Sequence, residues 1–109
     1  MAFVSLDDIE VVEPVPGYVA TFVHTKQMTL ANWKIAAGSP FPEHSHPHEQ
    51  IMMVLEGEFE LTVAGKSMLV RPGVVAVIPA DAKHSGRAVT DCIAIDVFYP
   101  VREDYRWAE

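Results

Sequence analysis

This sequence predicts an all-β fold, a small sandwich or barrel of short strands. Three observations carry that expectation. Apolar and polar residues alternate over short runs, glycine and proline interrupt those runs at close intervals, and no stretch sustains a capped helical period.

Taken in order, Ser5-Leu6-Asp7-Asp8 suggest no more than a short turn. Residues 19–24 and 28–35 are the first strand candidates, and residues 49–55 form another that ends at Glu56-Gly57. Over residues 58–63 the alternation is clean: Phe59, Leu61 and Val63 share a packed face, with the acids outside. Ala64-Gly65 makes a tight connection to residues 66–70, and Arg71-Pro72-Gly73 is a turn. A strand over 74–78 stops at Pro79, His84 begins the next, and residues 92–98 form the last. The segments up to about Pro16 and from Arg102 onward read as periphery. There is no internal repeat and no low-complexity stretch, and residues 1–109 are expected to form one domain.

Half of the 109 residues are apolar and mean hydropathy is +0.14, enough for a packed core. Net charge is −7 with a pI near 5.1, and no basic run exists, which argues against a nucleic-acid partner or an anionic membrane surface. No apolar run approaches the roughly 20 residues of a membrane helix. The N-terminal residues lack the basic-then-apolar order of a signal peptide, and Cys92 has no second cysteine to pair with. The cytoplasm is the expected compartment.

Four of the five histidines fall in two places, His44-Ser45-His46-Pro47-His48-Glu49-Gln50 and His84. On a strand, His44 and His46 would share a face, and paired imidazoles are common ligands for divalent transition metals. Gln50 and the distant His84 would complete an open site. His48 has the same parity and competes with Gln50, although Pro47 distorts any strand there. Gln50 is the preferred fourth ligand, with His48 at the rim. His24 has no supporting pattern and reads as structural.

In the last predicted strand, Ile93, Ile95 and Val97 share one face and Cys92, Ala94, Asp96 and Phe98 the other. Asp96 therefore interrupts a strand interior, where a carboxylate is paired, exposed or placed for chemistry. Arg102 is either its partner or a clamp for a substrate carboxylate.

The spacing of these residues resembles the cupin superfamily. Gly38, five residues, His44, one residue, His46, three residues, Gln50, six residues and Gly57 match its first motif. Gly73, five residues, Pro79, one residue, Asp81, two residues and His84 match its second, fifteen residues later. The resemblance covers roughly residues 30–100 and implies a double-stranded β-helix, the cupin jelly-roll barrel, with one divalent transition metal ion (Ni, Fe, Mn, Co or Zn) held by His44, His46, Gln50 and His84. Two positions depart from the pattern: Asp81 stands for the usual glycine and Gln50 for the usual glutamate. Three neutral imidazoles and an amide would leave the charge of the ion uncompensated, a strong Lewis acid toward carboxylates and enolates.

The ligand segment together with residues 96–104 resembles more narrowly the KdgF family of pectin-degradation cupins. That resemblance implies metal-dependent conversion of 4,5-unsaturated uronates, monosaccharides of pectin or alginate breakdown, into linear keto-uronates. It also implies Asp96, Phe98 and Arg102 as active-site residues, a small anionic sugar as substrate, and a homodimer. Two other classes stay open: an iron-dependent cupin dioxygenase, disfavoured by the missing glutamate, and a non-catalytic uronate- or sugar-binding cupin.

Overall fold

The computed structural model describes residues 2–106. Among these, the strands are β1 (Val12–Val15), β2 (Tyr18–His24), β3 (Thr29–Ile35), β4 (Pro40–His44), β5 (Glu49–Glu56), β6 (Phe59–Val63), β7 (Lys66–Val70), β8 (Val75–Ile78), β9 (His84–Ala88) and β10 (Cys92–Tyr99). Single 3-10 turns occupy Leu6–Asp8 and Glu103–Tyr105. The pairings are antiparallel, in a six-stranded sheet ordered β1-β2-β3-β10-β5-β8 and a four-stranded sheet ordered β4-β9-β6-β7. No helix among the described residues is long and apolar enough to cross a membrane.

The core lies between the sheets because each strand turns alternate residues inward. Tyr18, Ala20 and Phe22 of β2, Trp33 of β3 and Met52 and Val54 of β5 meet Phe59 and Leu61 of β6 and Ala88 of β9. Phe59 and Leu61 take the packed face that the alternation predicts. On β10 the buried face is Cys92, Ala94, Asp96 and Phe98, while Ile93, Ile95 and Val97 are half-buried on the outer face. Asp96 thus stands in the barrel interior.

Two strands differ from the sequence reading. β1 holds Pro14 and β4 holds Pro40 and Pro42, and proline reads as a break in a strand pattern. Both are edge strands, where a missing N–H leaves no ladder bond unmade. Val12–Val15 is therefore sheet edge, while residues 2–11 lie outside the sheets, as expected of periphery. Two tight turns behave as their residues suggest. Ala64 and Gly65 both have positive φ (49° and 82°), the backbone of a two-residue type I′ hairpin between β6 and β7. Asp81, where the family motif has glycine, also adopts a left-handed φ of 65°.

Candidate active site

His44, the last residue of β4, lies directly opposite His84, the first of β9. Their ring centroids are 4.1 Å apart. His46 arrives differently from the sequence expectation. β4 ends at His44, so strand parity does not align the two; His46 sits in the bend before β5. The turn preceding β9 anchors that bend, with the Asp81 N–H donating to the His46 carbonyl at 2.8 Å. The His46 ring ends 5.6 Å from His44 and 4.9 Å from His84, and the ligand atoms of the three lie within 4.8 Å of one another.

The backbone also selects the tautomers. Nδ1 of His44 bonds the Pro42 carbonyl at 2.9 Å, Nδ1 of His46 the His48 carbonyl at 3.0 Å, and Nδ1 of His84 the Ala82 carbonyl at 2.9 Å. A carbonyl only accepts, so each Nδ1 carries the proton and each Nε2 keeps a lone pair. Burial is the main cause holding His46 down to about 4, with the Arg102 charge adding to it; burial likewise lowers His84. Neutral imidazoles with backbone-bound Nδ1–H groups are the arrangement metal-ligating histidines need. His84 Nε2 is buried with no partner. Gln50, buried on β5, sets Oε1 3.1 Å from His46 Nε2, so with this tautomer two lone pairs face each other. A cation at that point would satisfy both, and the donor set fits a divalent transition ion.

His48 lies beside this cluster, its ring 5.3 Å from that of His46, but is not part of it. It is half-buried, its Nδ1 is buried without a hydrogen-bond partner, and its ligand atoms are outside the group that converges.

Asp96 lies on β10 between β3 and β5, opposite Ala31 and Met52. Trp33 Nε1–H donates to Oδ2 at 2.9 Å, and Oδ1 is buried without a hydrogen-bond partner. Burial pushes the carboxyl up to about 6, with the Gln50 amide, the Trp33 indole and the Arg102 charge opposing. Arg102 is not its hydrogen-bonded partner. The guanidinium is engaged bidentately by Asp104, Nε to Oδ1 at 3.0 Å and Nη2 to Oδ2 at 2.6 Å. It also lies over the rings of Phe98 (4.9 Å) and Tyr105 (4.2 Å). Nη1 is buried with no partner. Arg102 is 7% exposed, so the tail that was expected to be peripheral carries a buried cation into the barrel.

One open cavity is lined by His44, His84, Gln50, Asp96, Phe98 and Arg102, with an apolar wall that includes Phe41 and Leu61. Trp33, Asp104 and Tyr105 were not singled out from the sequence. Asp104 follows Arg102 by two residues and was visible as a local ion-pair candidate. A tryptophan in mid-strand needs a buried acceptor, which pointed to Trp33 but not to which acceptor it has.

Two antiparallel sheets enclosing an open cavity, with three imidazoles converging beside it, define a β barrel of the double-stranded β-helix class with a candidate metal centre. The chain belongs to the cupin family: residues 31–98 match the family model Cupin_2, described as Cupin domain. It is similar to an RmlC-like cupin from Shewanella frigidimarina NCIMB 400, at 25% identity and a TM-score of 0.89 over 96% of each chain. It is also similar to KdgF from a Halomonas species, at 28% identity and a TM-score of 0.87, over 95% of this chain and 97% of that one. Bacillus subtilis oxalate decarboxylase shares the fold, at 19% identity and a TM-score of 0.78, over 89% of this chain and 29% of its own. A comparison with curated proteins finds no match.

Proposed function

We propose that this cupin is a metal-dependent enzyme that converts 4,5-unsaturated uronates into linear keto-uronates. The observation that carries the reading is one cavity whose wall holds His44 and His84 of the histidine cluster, a buried carboxyl with one oxygen free of hydrogen bonds, and a buried guanidinium with one nitrogen free of them. Likeness to the Halomonas KdgF over nearly the whole chain supports it.

In this reading His44, His46, Gln50 and His84 hold one divalent transition ion. When bound, that ion supplies Lewis acidity toward the sugar carboxylate and the ring oxygen. Arg102 offers Nη1 to the carboxylate while Asp104 immobilises the other edge of the fork, which orients the sugar. Phe98 forms the wall beneath it. Asp96 moves the proton. The substrate is a cyclic enol ether with a hemiacetal hydroxyl. Loss of the hydroxyl proton forms the aldehyde, breaks the bond to the ring oxygen, and leaves an enolate at carbons four and five. Protonation at carbon four gives the ketone, so the reaction is an isomerisation that needs neither water nor a redox partner. An acid with its pKa near 6 is matched to proton transfer in either direction near neutrality.

The test supplies an unsaturated monouronate and follows loss of its conjugated absorbance, with and without chelator. Chelator-sensitive loss without oxygen uptake is expected. Oxygen consumption would favour the dioxygenase class, and a bound but unchanged sugar the binding class.

We also read the protein as a homodimer. The outer face of β5 and β8 carries exposed Ile51, Met53, Leu55, Val75 and Val77, with Ile51 opposite Val77 and Met53 opposite Val75 in register. Contiguous apolar surface at a sheet edge favours association. Light scattering on wild type and Val77→Glu checks it; a monomeric wild type would overturn it.

A further inference from the structure

The residues 102–106 are fastened to the β2–β3 hairpin at points remote from the histidine cluster. Thr29 is fully buried, and its Oγ1 accepts the Arg102 backbone N–H at 2.9 Å. His24, opposite Thr29 in register, places Nδ1 2.8 Å from the same oxygen and Nε2 3.2 Å from the Tyr105 carbonyl. The bond directions follow from the inventory of donors. The Tyr105 carbonyl only accepts, so Nε2 carries the hydrogen and Nδ1 the lone pair. The Thr29 hydroxyl therefore donates to Nδ1 and accepts from Arg102. In this chain of three bonds the Thr29 hydroxyl donates one and accepts another, and the two imidazole nitrogens make one each. The Tyr105 ring stacks on Phe22 at 4.4 Å, and the Arg102 guanidinium rests on that ring at 4.2 Å.

We propose that His24 and Thr29 form a latch that holds the Arg102 guanidinium at the cavity, making them positioning residues for binding of an anionic sugar. The sugar as ligand rests on the function proposed above; the latch itself rests on these bonds. The backbone N–H of Arg102 and the carbonyl of Tyr105 are the two points gripped, one on each side of Asp104. The segment that sets the guanidinium is thus clamped at both ends. Neither residue touches the ligand. Their effect passes through Arg102, so it vanishes when Arg102 is absent.

The experiment pairs hydrogen exchange with a double-mutant cycle. Peptides spanning residues 99–106 are followed in wild type, Thr29→Val and Thr29→Ser, and binding of D-galacturonate, a saturated uronate, is measured by calorimetry on the protein with its metal content recorded. In Thr29→Val these peptides should exchange faster, with those of β5 and β6 unchanged, and affinity should fall roughly tenfold, as for a lost buried hydrogen bond. Thr29→Ser should restore both. In an Arg102→Ala background, Thr29→Val should change affinity by less than about twofold, because the two act on one path. Should Thr29→Val fail to fold, His24→Phe keeps a ring beside Phe22 while removing both imidazole bonds, and the same outcomes apply. Unchanged exchange in residues 99–106, or losses that add in the double variant, overturns the latch. Wild type that binds neither galacturonate nor an unsaturated monouronate, alongside faster exchange in Thr29→Val, overturns the uronate reading and retains the latch.

Discussion

Trp33 and Asp96, on neighbouring strands of the same inward face, are joined by an indole N–H that donates to Oδ2 at 2.9 Å, while Oδ1 is buried without a hydrogen-bond partner. One carboxylate oxygen is thereby fixed and the other kept available. The bond also stabilises the ionised form, against a burial effect that already raises the carboxyl to about 6. Trp33→Phe removes the donor. The Asp96 pKa should rise further, and the limb of the kcat/KM profile that needs ionised Asp96 should move to higher pH. A pH–rate profile on both proteins checks this.

Asp96→Asn should keep fold and metal while losing most turnover, on the order of 100-fold or more for an essential proton-transfer group. Stability should move the other way. The folded-state value of about 6 lies above the ordinary 3.8. Burying the charge therefore destabilises the fold increasingly as pH rises from about 4 to 6, and fully above 6, by about 3 kcal/mol. Chelator-treated Asp96→Asn should unfold at higher temperature than wild type at pH 8. The difference should fade toward pH 4. Thermal melts across that range give the answer, and equal melting at both ends would refute a buried ionised carboxylate.

His44→Ala should lose metal and activity together, since it removes one of three converging imidazoles. Elemental analysis beside the activity assay reads both. Acid should do the same reversibly. His46, lowered to about 4, and His84 resist protonation in the fold while an ordinary histidine protonates near 6.5. Their contribution to stability is complete above pH 6.5 and is lost as pH falls toward 4.

Asp104→Asn replaces a charged, bidentate hold on Arg102 with a neutral one. KM for an unsaturated uronate should rise about tenfold with a smaller change in kcat, consistent with loss of a charge-assisted bond that orients the clamp. Steady-state kinetics separate the two constants.

Ala64 sits in the left-handed region at φ 49°, in the first position of a type I′ turn. Ala64→Asn places there a residue that tolerates this backbone. Stabilisation of about 1 kcal/mol is expected, a rise in Tm of roughly 4–8 °C, read by calorimetry.

The histidine and glycine spacing, together with the alternation in β6 and β10, was sufficient to identify an all-β cupin and to pick out His44, His46, Gln50, His84 and Asp96. These are local properties: period-two patterning and the distance between residues along the chain are written into the order of side chains. The proline-bearing edge strands escaped that reading, because whether a missing N–H matters depends on which strand has a neighbour on that side. Partner choice escaped it too. That Asp96 bonds Trp33 rather than Arg102, that His46 is held by a bend tied to Asp81, and that His24 meets Tyr105 all follow from register and closure between distant segments. Hydrogen bonds reach about 3 Å. Only packing of the two sheets brings groups sixty or more residues apart, such as Trp33 and Asp96, within that reach.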